Sequence, residues 1–426
     1  MKSLDEIAAQ LQGYDPQALN ADAVGEFLAR LVEPVTDRER ESLFDAAGRV
    51  LADDLISPIS VPPHDNSAMD GYAFDGAQLQ ADAQLDLAVV GTALAGKAWT
   101  GRVGPGQCVK IMTGAIMPAG LDTVAPQELT HAAGEARIRI PPGILRAGDN
   151  RRFRGEDLMQ GQPALAKGTR LGPAACGLIA SLGLAEVDVL RRIKVAYFST
   201  GDEILSLGEA PREGAVYDSN RHTVRALLAR LGCELIDLGV VRDEPAALEQ
   251  AFTRAAAQAD AIITSGGVSV GEADFTKAMM KHLGDVAFWK IAMRPGRPMA
   301  VGRIASGDRA AVLFGLPGNP VAVMVTFLAF VRPALLRMMG AQPEPMVLLK
   351  AHSTERLRKK PGRTEYQRGI VRAAADGTLQ VSITGNQGSG VLSSMVQANG
   401  LIVLHHGQGD VAVGEEVDVM MFEGVV

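Results

Sequence analysis

Cysteine is scarce: Cys108, Cys176 and Cys233 are the three in 426 residues. An odd and scattered set excludes a disulfide framework and fits reduced thiols in the cytoplasm. Neither a C-x-x-C nor an H-E-x-x-H pattern occurs, so the usual zinc spacings are missing as well. The formal net charge is -7 and no basic arm or block interrupts it, which argues against a nucleic-acid partner. A local basic cluster inside a cleft can still hold a small anion. Long hydrophobic runs are lacking too. The longest, from Val321 to Val331, is too short to cross a bilayer and is bracketed by Pro320 and by Arg332 and Pro333. Asp5 and Glu6 stand where a signal peptide requires positive charge, so the expectation is a cytoplasmic protein with no membrane partner. Aromatics make up only 4%, and the 47 glycines are spread along the chain, a composition that points to neither disorder nor a fibre.

What is present is length and pattern. A chain of 426 residues exceeds what one core can fill and suits two to four domains. Apolar spacing predicts helices over 23–31 and 43–55, and again around 174–182. Between them, after Pro58, Pro62 and Pro63, short apolar runs alternate with glycine turns to about residue 140, as in a small β domain. From Ile193 the pattern becomes regular. Strands are predicted over 193–198, 234–240, 259–264, 286–291 and 310–314, and helices over 223–231, 245–257, 275–283 and 321–339. That alternation predicts a doubly wound α/β domain with its ligand site at the carboxyl ends of the strands. Beyond about Met346, alternating runs such as 401–404 and 417–421 predict a further small β domain.

The polar, glycine-rich segments nearly all follow strand ends, so they should share one rim. They are Ser199 to Glu203, Asp243, the loop Ser265 to Asp274, Arg294 to Pro298 after Lys290, and Leu316 to Pro320. In the third, Gly266, Gly267, Ser269 and Gly271 could offer backbone N–H groups to an oxyanion at a helix N-terminus, although Gly266-Gly267 equally suits a tight turn. Glu203, Asp243 and Asp274 could hold Mg²⁺ through oxygen ligands, yet Asp243 and Asp274 also suit helix caps. Lys277, Lys290, Arg294 and Arg297 place positive charge beside these acids, as a phosphate or other anion requires, while a solvated surface pair is the alternative for the two arginines. Asn319 and Pro320 are explained by the start of a helix; Pro317 and Gly318 are not. Two loops lie outside the α/β segment: His64 to Ala73, which an Asx turn would explain, and Asp149 to Asp157, which reads as a solvated charge run.

At these residues the chain resembles a known family. Asp65 to Ala73, Met112-Thr113-Gly114-Ala115, Arg154-Gly155-Glu156-Asp157, Ser199 to Glu203, Ser265 to Lys277 and Leu316 to Pro320 are similar to the molybdopterin molybdenumtransferase (MoeA-type) family, which includes the C-terminal domain of gephyrin. The resemblance implies a homodimer of elongated subunits with four domains: a helical linking domain (1–55 and 161–190), an inserted β domain (56–160), a molybdopterin-binding α/β domain (191–340) and a C-terminal β domain (341–426). It implies adenylylated molybdopterin and molybdate as substrates, with Mg²⁺ assisting release of AMP. By the same resemblance Glu203, Asp243 and Asp274 are metal or catalytic acids, and Lys277, Lys290, Arg294 and Arg297 bind anions. Asp70 and Thr113 come from the inserted domain, Pro317 and Pro320 shape a loop, and Arg368 and Ser389 match functional positions of the C-terminal domain. Where relatives often carry lysines, this chain has Arg294 and Arg297. No adenylyltransferase domain is fused here, so a separate molybdopterin adenylyltransferase would supply the substrate, and molybdoenzymes or carrier proteins would take the product. The alternatives are the sister adenylyltransferase activity, which lacks the extra domains and the Asp70 loop, and a non-catalytic scaffold, which needs none of the three acids.

Overall fold

The computed structural model describes residues 2–268 and 275–422. Its centre is a six-stranded sheet in the order Glu234–Val241, Lys194–Thr200, Ala261–Ser265, Arg309–Leu316, Pro298–Ser306, Gly284–Lys290. The first four strands are mutually parallel. Pro298–Ser306 runs antiparallel to both neighbours, so Gly284–Lys290 points the same way as the four. The carboxyl ends of five strands therefore lie on one rim.

Every position of Ala261–Ser265 is buried, as in a strand covered on both faces. Ala261 and Ile263 pack with Val224, Leu228 and Leu231 of the helix Ser219–Leu231. Ile262 faces the other way, into a cluster with Phe252 of Pro245–Gln258 and Met280 of Phe275–Leu283. The strand's period of two thus feeds two helical layers, which is the doubly wound arrangement expected. Pro298–Ser306 was not expected. It opens on a proline and carries Gly302, whose substitution by any side chain would bring Cβ to 2.1 Å from the Asp285 carbonyl oxygen. Both read as loop signals in the sequence, but Pro298 begins the strand and Gly302 admits the close neighbour.

The run Pro320–Met338 is long and apolar enough to span a membrane, yet Val321, Val325, Phe327, Val331 and Leu335 are fully buried in the largest core. Helices Leu4–Ala8 and Ala21–Leu31 join that same core, with Phe27 edge-on to Trp289 at 4.9 Å.

The helix expected over residues 43–55 does not form. Arg38–Ser42 is a strand paired with Glu186–Leu190, and turns follow it, including Gly48 at φ +78. Leu43, Ala46, Leu51 and Leu55 have helical spacing but pack as a turn-rich segment against Val187, Val189 and the helix Pro173–Ser181. The linking region is therefore a mixed unit and not the helical one expected.

Within residues 56–160 a six-stranded sheet takes the order Thr123–Pro126, Gly71–Phe74, Gln107–Ile111, Leu85–Ala93, Arg137–Ile140, His131–Ala132. Two apolar clusters cover it, and both draw only on residues between 72 and 145. In the C-terminal region Thr364–Ala373, Leu379–Ile383, Leu349–Ser353, Glu416–Met421 and Gly400–Leu404 close into a barrel, because the first strand also pairs with the last. Met293–Arg294, from the α/β segment, adds in parallel to Thr364-Glu365 of that barrel. The basic loop is thereby stitched between two domains.

Candidate active site at the strand rim

The glycine loop works by being bare. At Gly266, φ is +95 and an added Cβ would meet the Thr200 carbonyl oxygen at 2.4 Å. At Gly267, φ is +66 and Cβ would meet Thr276 Cγ2 at 2.6 Å. Only glycine allows these two turns and these approaches. The Gly266 N–H donates to the Leu316 carbonyl at 3.1 Å, so this N–H ties neighbouring strand ends together and is not offered to an oxyanion as expected. Ser269, Gly271 and Asp274 lie outside the described residues.

The space left by Gly267 admits Thr276, which is buried and whose Oγ1 donates to Asp243 Oδ1 at 3.2 Å. Asp243 does not cap the following helix: the N-cap position belongs to Glu244, and no side chain closes it. Burial holds the Asp243 carboxyl above its ordinary range; the Thr276 hydrogen bond acts against this, and Asp202 and Glu203 add to it by like charge. The first and second strand-end loops therefore do bring Glu203 and Asp243 into one acidic field. Among the described residues no group of three or more His, Cys, Asp or Glu is placed to hold a metal ion. Sequence reasoning missed Thr276, whose only signal is a hydroxyl at the start of a helix facing a strand-end acid.

On the other flank, Arg294, Arg297, Pro317, Gly318, Asn319, Gln387 and Ser389 line one cleft of about 290 Å³ together with Met293, Pro295, Gly296, Pro298 and Ala322. It lies where the rim meets the C-terminal barrel. The Val321 N–H donates to the Ser389 carbonyl at 3.1 Å and fixes that contact. Pro320 occupies the first turn of its helix and does not line the cleft. Asn319 takes the cap position without a side-chain cap bond, which leaves its amide to the cleft.

Arg368 is fully buried. Its Nε donates to Ser394 Oγ at 3.0 Å, and Nη2 donates to the carbonyls of Gly388 at 3.0 Å and Asn386 at 3.4 Å. Burial, with some repulsion from Arg294, pushes its pKa down to about 10. It therefore braces the loop that carries Gln387 and Ser389. Gln387, an unexpected lining residue, accepts from the Arg368 N–H at 2.7 Å. A second cavity of about 290 Å³ shares Arg294, Pro295 and Gln387 with the first and extends to Arg356 and Arg358. Lys290 ends its strand with its backbone engaged by Pro16 and Leu19, and it lines neither cavity. Lys277 follows Thr276 on its helix and is half-buried.

The loops of the inserted domain are ordered by their own bonds. Asp70 Oδ1 accepts from the Thr113 N–H at 2.7 Å and from its hydroxyl at 2.8 Å, and these bonds draw its pKa below the usual range. Asp65 accepts from the Arg154 N–H at 2.7 Å and pairs with Arg151, while Asn66-Ser67 pairs as a strand with Arg151-Arg152. The two loops that looked separate in sequence are one structure. Asp70 and Thr113 line neither cavity at the rim.

A doubly wound domain with a bare glycine loop, a strand-end acid pair and a basic cleft against a β barrel is an α/β protein with an anion-suited ligand site at its strand rim. Family models match accordingly: the MoeA N-terminal region (domain I and II) over residues 19–183, a probable molybdopterin binding domain over 196–337, and the MoeA C-terminal region (domain IV) over 350–422. A molybdopterin molybdenumtransferase of Haemophilus influenzae is 43% identical over 91% of this chain and 94% of its own length. One from Bacillus subtilis is 34% identical over 90% of each. A solved molybdopterin biosynthesis moeA protein of Pyrococcus horikoshii aligns over 95% of this chain and 100% of its own, with a TM-score of 0.80 and 26% identity. The chain belongs to the MoeA family of molybdopterin molybdenumtransferases.

Proposed function

We propose that this chain inserts molybdate into adenylylated molybdopterin and releases AMP, with Mg²⁺ assisting. The observation that carries the reading is the meeting of an acidic and a basic flank on one rim, Glu203 and Asp243 on one side and the Arg294, Arg297 and Ser389 cleft on the other. The basic flank suits a tetrahedral oxyanion, since guanidinium groups offer charge and paired donors together. Pro295 and Pro317 stiffen its walls, so the donors are placed before the ligand arrives.

The acidic flank fits Mg²⁺. Its donors are all hard oxygens, and Asp243 and Glu203 repel one another in a way that a bound cation would relieve. Two carboxylates with water and substrate phosphate oxygens are enough for this ion, and Asp274 would be the third. When bound it supplies charge neutralisation at the phosphoryl oxygens. Thr276 orients Asp243, and Gly266 lets its loop lie close against the Thr200 carbonyl.

Asp70 and Thr113 sit on a domain whose core is self-contained, so their contribution to this rim is assigned to the inserted domain of a second subunit in a homodimer. A separate adenylyltransferase supplies the substrate, and molybdoenzymes or carriers accept the product. The test is AMP release from adenylylated molybdopterin by purified protein with and without molybdate. Molybdate-stimulated release is expected. Consumption of ATP with free molybdopterin would instead make the chain an adenylyltransferase, and no turnover of either would make it a scaffold.

A further inference from the structure

The corner where the strand Lys194–Thr200 ends and the helix Ser219–Leu231 begins holds acceptors with nothing to accept. Asp218 is 4% exposed and Asn220 8% exposed. Asp218 Oδ1 caps the helix by accepting from the Arg221 N–H at 3.0 Å, but Oδ2 is buried without a partner. Asn220 Nδ2 donates to the Gly318 carbonyl at 2.7 Å, while its Oδ1 is likewise buried and unpartnered. Thr200 Oγ1 is a third orphan, and it lies 3.0 Å from where a Cβ on Gly266 would stand. Gly318 in turn approaches Gly266 Cα, so Thr200, Gly266, Gly318 and Asn220 form one connected patch of the rim.

Leaving a buried acceptor unmet is costly, and such groups in a native fold call for an explanation. Helix capping accounts for one oxygen of Asp218 only. The corner thus leaves one carboxylate oxygen, one amide oxygen and one hydroxyl buried and unmet. Its complement is a planar ligand edge carrying adjacent N–H donors. The 2-amino and N3–H groups of a 2-amino-4-oxopyrimidine ring are such an edge, with the 4-oxo oxygen available to the Thr200 hydroxyl. We propose that Asp218 and Asn220 read the aminopyrimidinone edge of the pterin, and so set which heterocycle the rim accepts. This rests on the reading of the rim as a pterin site.

The probes are 6-hydroxymethylpterin and 6-hydroxymethyl-lumazine, which differ in carrying an amino group or an oxygen at C2. Binding is measured by fluorescence quenching on the whole protein. Wild type should bind the pterin at least about tenfold more tightly, because an oxygen facing Asp218 Oδ2 sets two acceptors together. Asp218→Ser keeps a helix-capping hydroxyl and removes the reading oxygen, and Asp218→Asn replaces it with a donor. Both should lose the preference, and Asp218→Asn should reverse it toward the lumazine. Circular dichroism and melting close to wild type confirm that the cap survives. Equal binding of the two probes by wild type, no pterin binding at all, or an unchanged preference in folded Asp218→Asn overturns the proposal and leaves the orphans to a buried water. Because AMP release is measured separately, normal molybdate-stimulated turnover alongside any of these results would sink this assignment and leave the proposed reaction standing.

Discussion

Asp243 takes its character from its neighbours. Its folded pKa is raised above the ordinary 3.8 by burial and then by Asp202 and Glu203. A raised carboxyl favours the fold fully below the unfolded value, and that contribution is lost as pH rises through the folded value. At neutral pH the ionised group is thus a liability to the free protein, held for what it binds. Asp243→Asn is expected to melt at or above the wild-type temperature at pH 7, with the difference shrinking as pH falls toward 4, while molybdate-stimulated AMP release drops by roughly 10²-fold or more. Thermal melts across pH, run beside the assay, check both halves. A variant that melts lower and turns over normally would show Asp243 to be structural. For Arg294→Ala and Arg297→Ala, charge removal from a cleft open to solvent should weaken molybdate binding by about tenfold at low ionic strength and by less at high salt, since screening already reduces the wild-type attraction there. Calorimetric titration at two salt concentrations measures it, and a salt-independent affinity in wild type would remove the arginines from the site.

At the scale of elements, the rim depends on loops that lock to one another. Gly266 cannot carry a side chain, because both its φ of +95 and the Thr200 carbonyl forbid one. Gly266→Ala should cost more than about 2 kcal/mol and lower the melting temperature by several degrees, with loss of activity beyond what the stability change explains. Arg368 ties the loop 386–389 by two side-chain hydrogen bonds, to the carbonyls of Asn386 and Gly388, and anchors itself by a third to Ser394 Oγ. Arg368→Ala should destabilise by roughly 2–4 kcal/mol. Arg368→Lys should not restore it, since an ammonium cannot reproduce the planar fork. The check is denaturant unfolding followed by molybdate titration; a lysine variant equal to wild type in both would show that charge alone suffices there.

For the whole molecule, the proposed contribution of Asp70 to the rim comes from a domain whose apolar clusters draw only on its own residues. If a two-fold partner supplies it, Asp70→Asn and Asp243→Asn are each inactive alone, yet a mixed dimer contains one intact site. Co-expression with two tags and isolation of the doubly tagged dimer should recover about half of the wild-type AMP release. Recovery no greater than either parent would place Asp70 and Asp243 in a single subunit's site or remove Asp70 from the reaction.

The sequence by itself determined the doubly wound domain, because strands buried on both faces read as apolar runs and the helices between them keep their period. It also determined which strand-end segments share a rim, since parallel strands point their carboxyl ends one way. It did not determine the strand Pro298–Ser306, where a leading proline and Gly302 look like loop until the hairpin partner is in place. Nor did it determine the fate of residues 43–55, whose apolar spacing suits a helix but whose burial comes from distant residues 171–189. Tertiary structure alone decided that Asp243 answers to Thr276 and not to a helix end, that the Gly266 N–H is already spent, and that Arg368 braces a loop. Each of these is a contact between residues far apart in the chain. Local pattern records which face of an element is apolar; it does not record which polar group another element will bring within hydrogen-bonding distance.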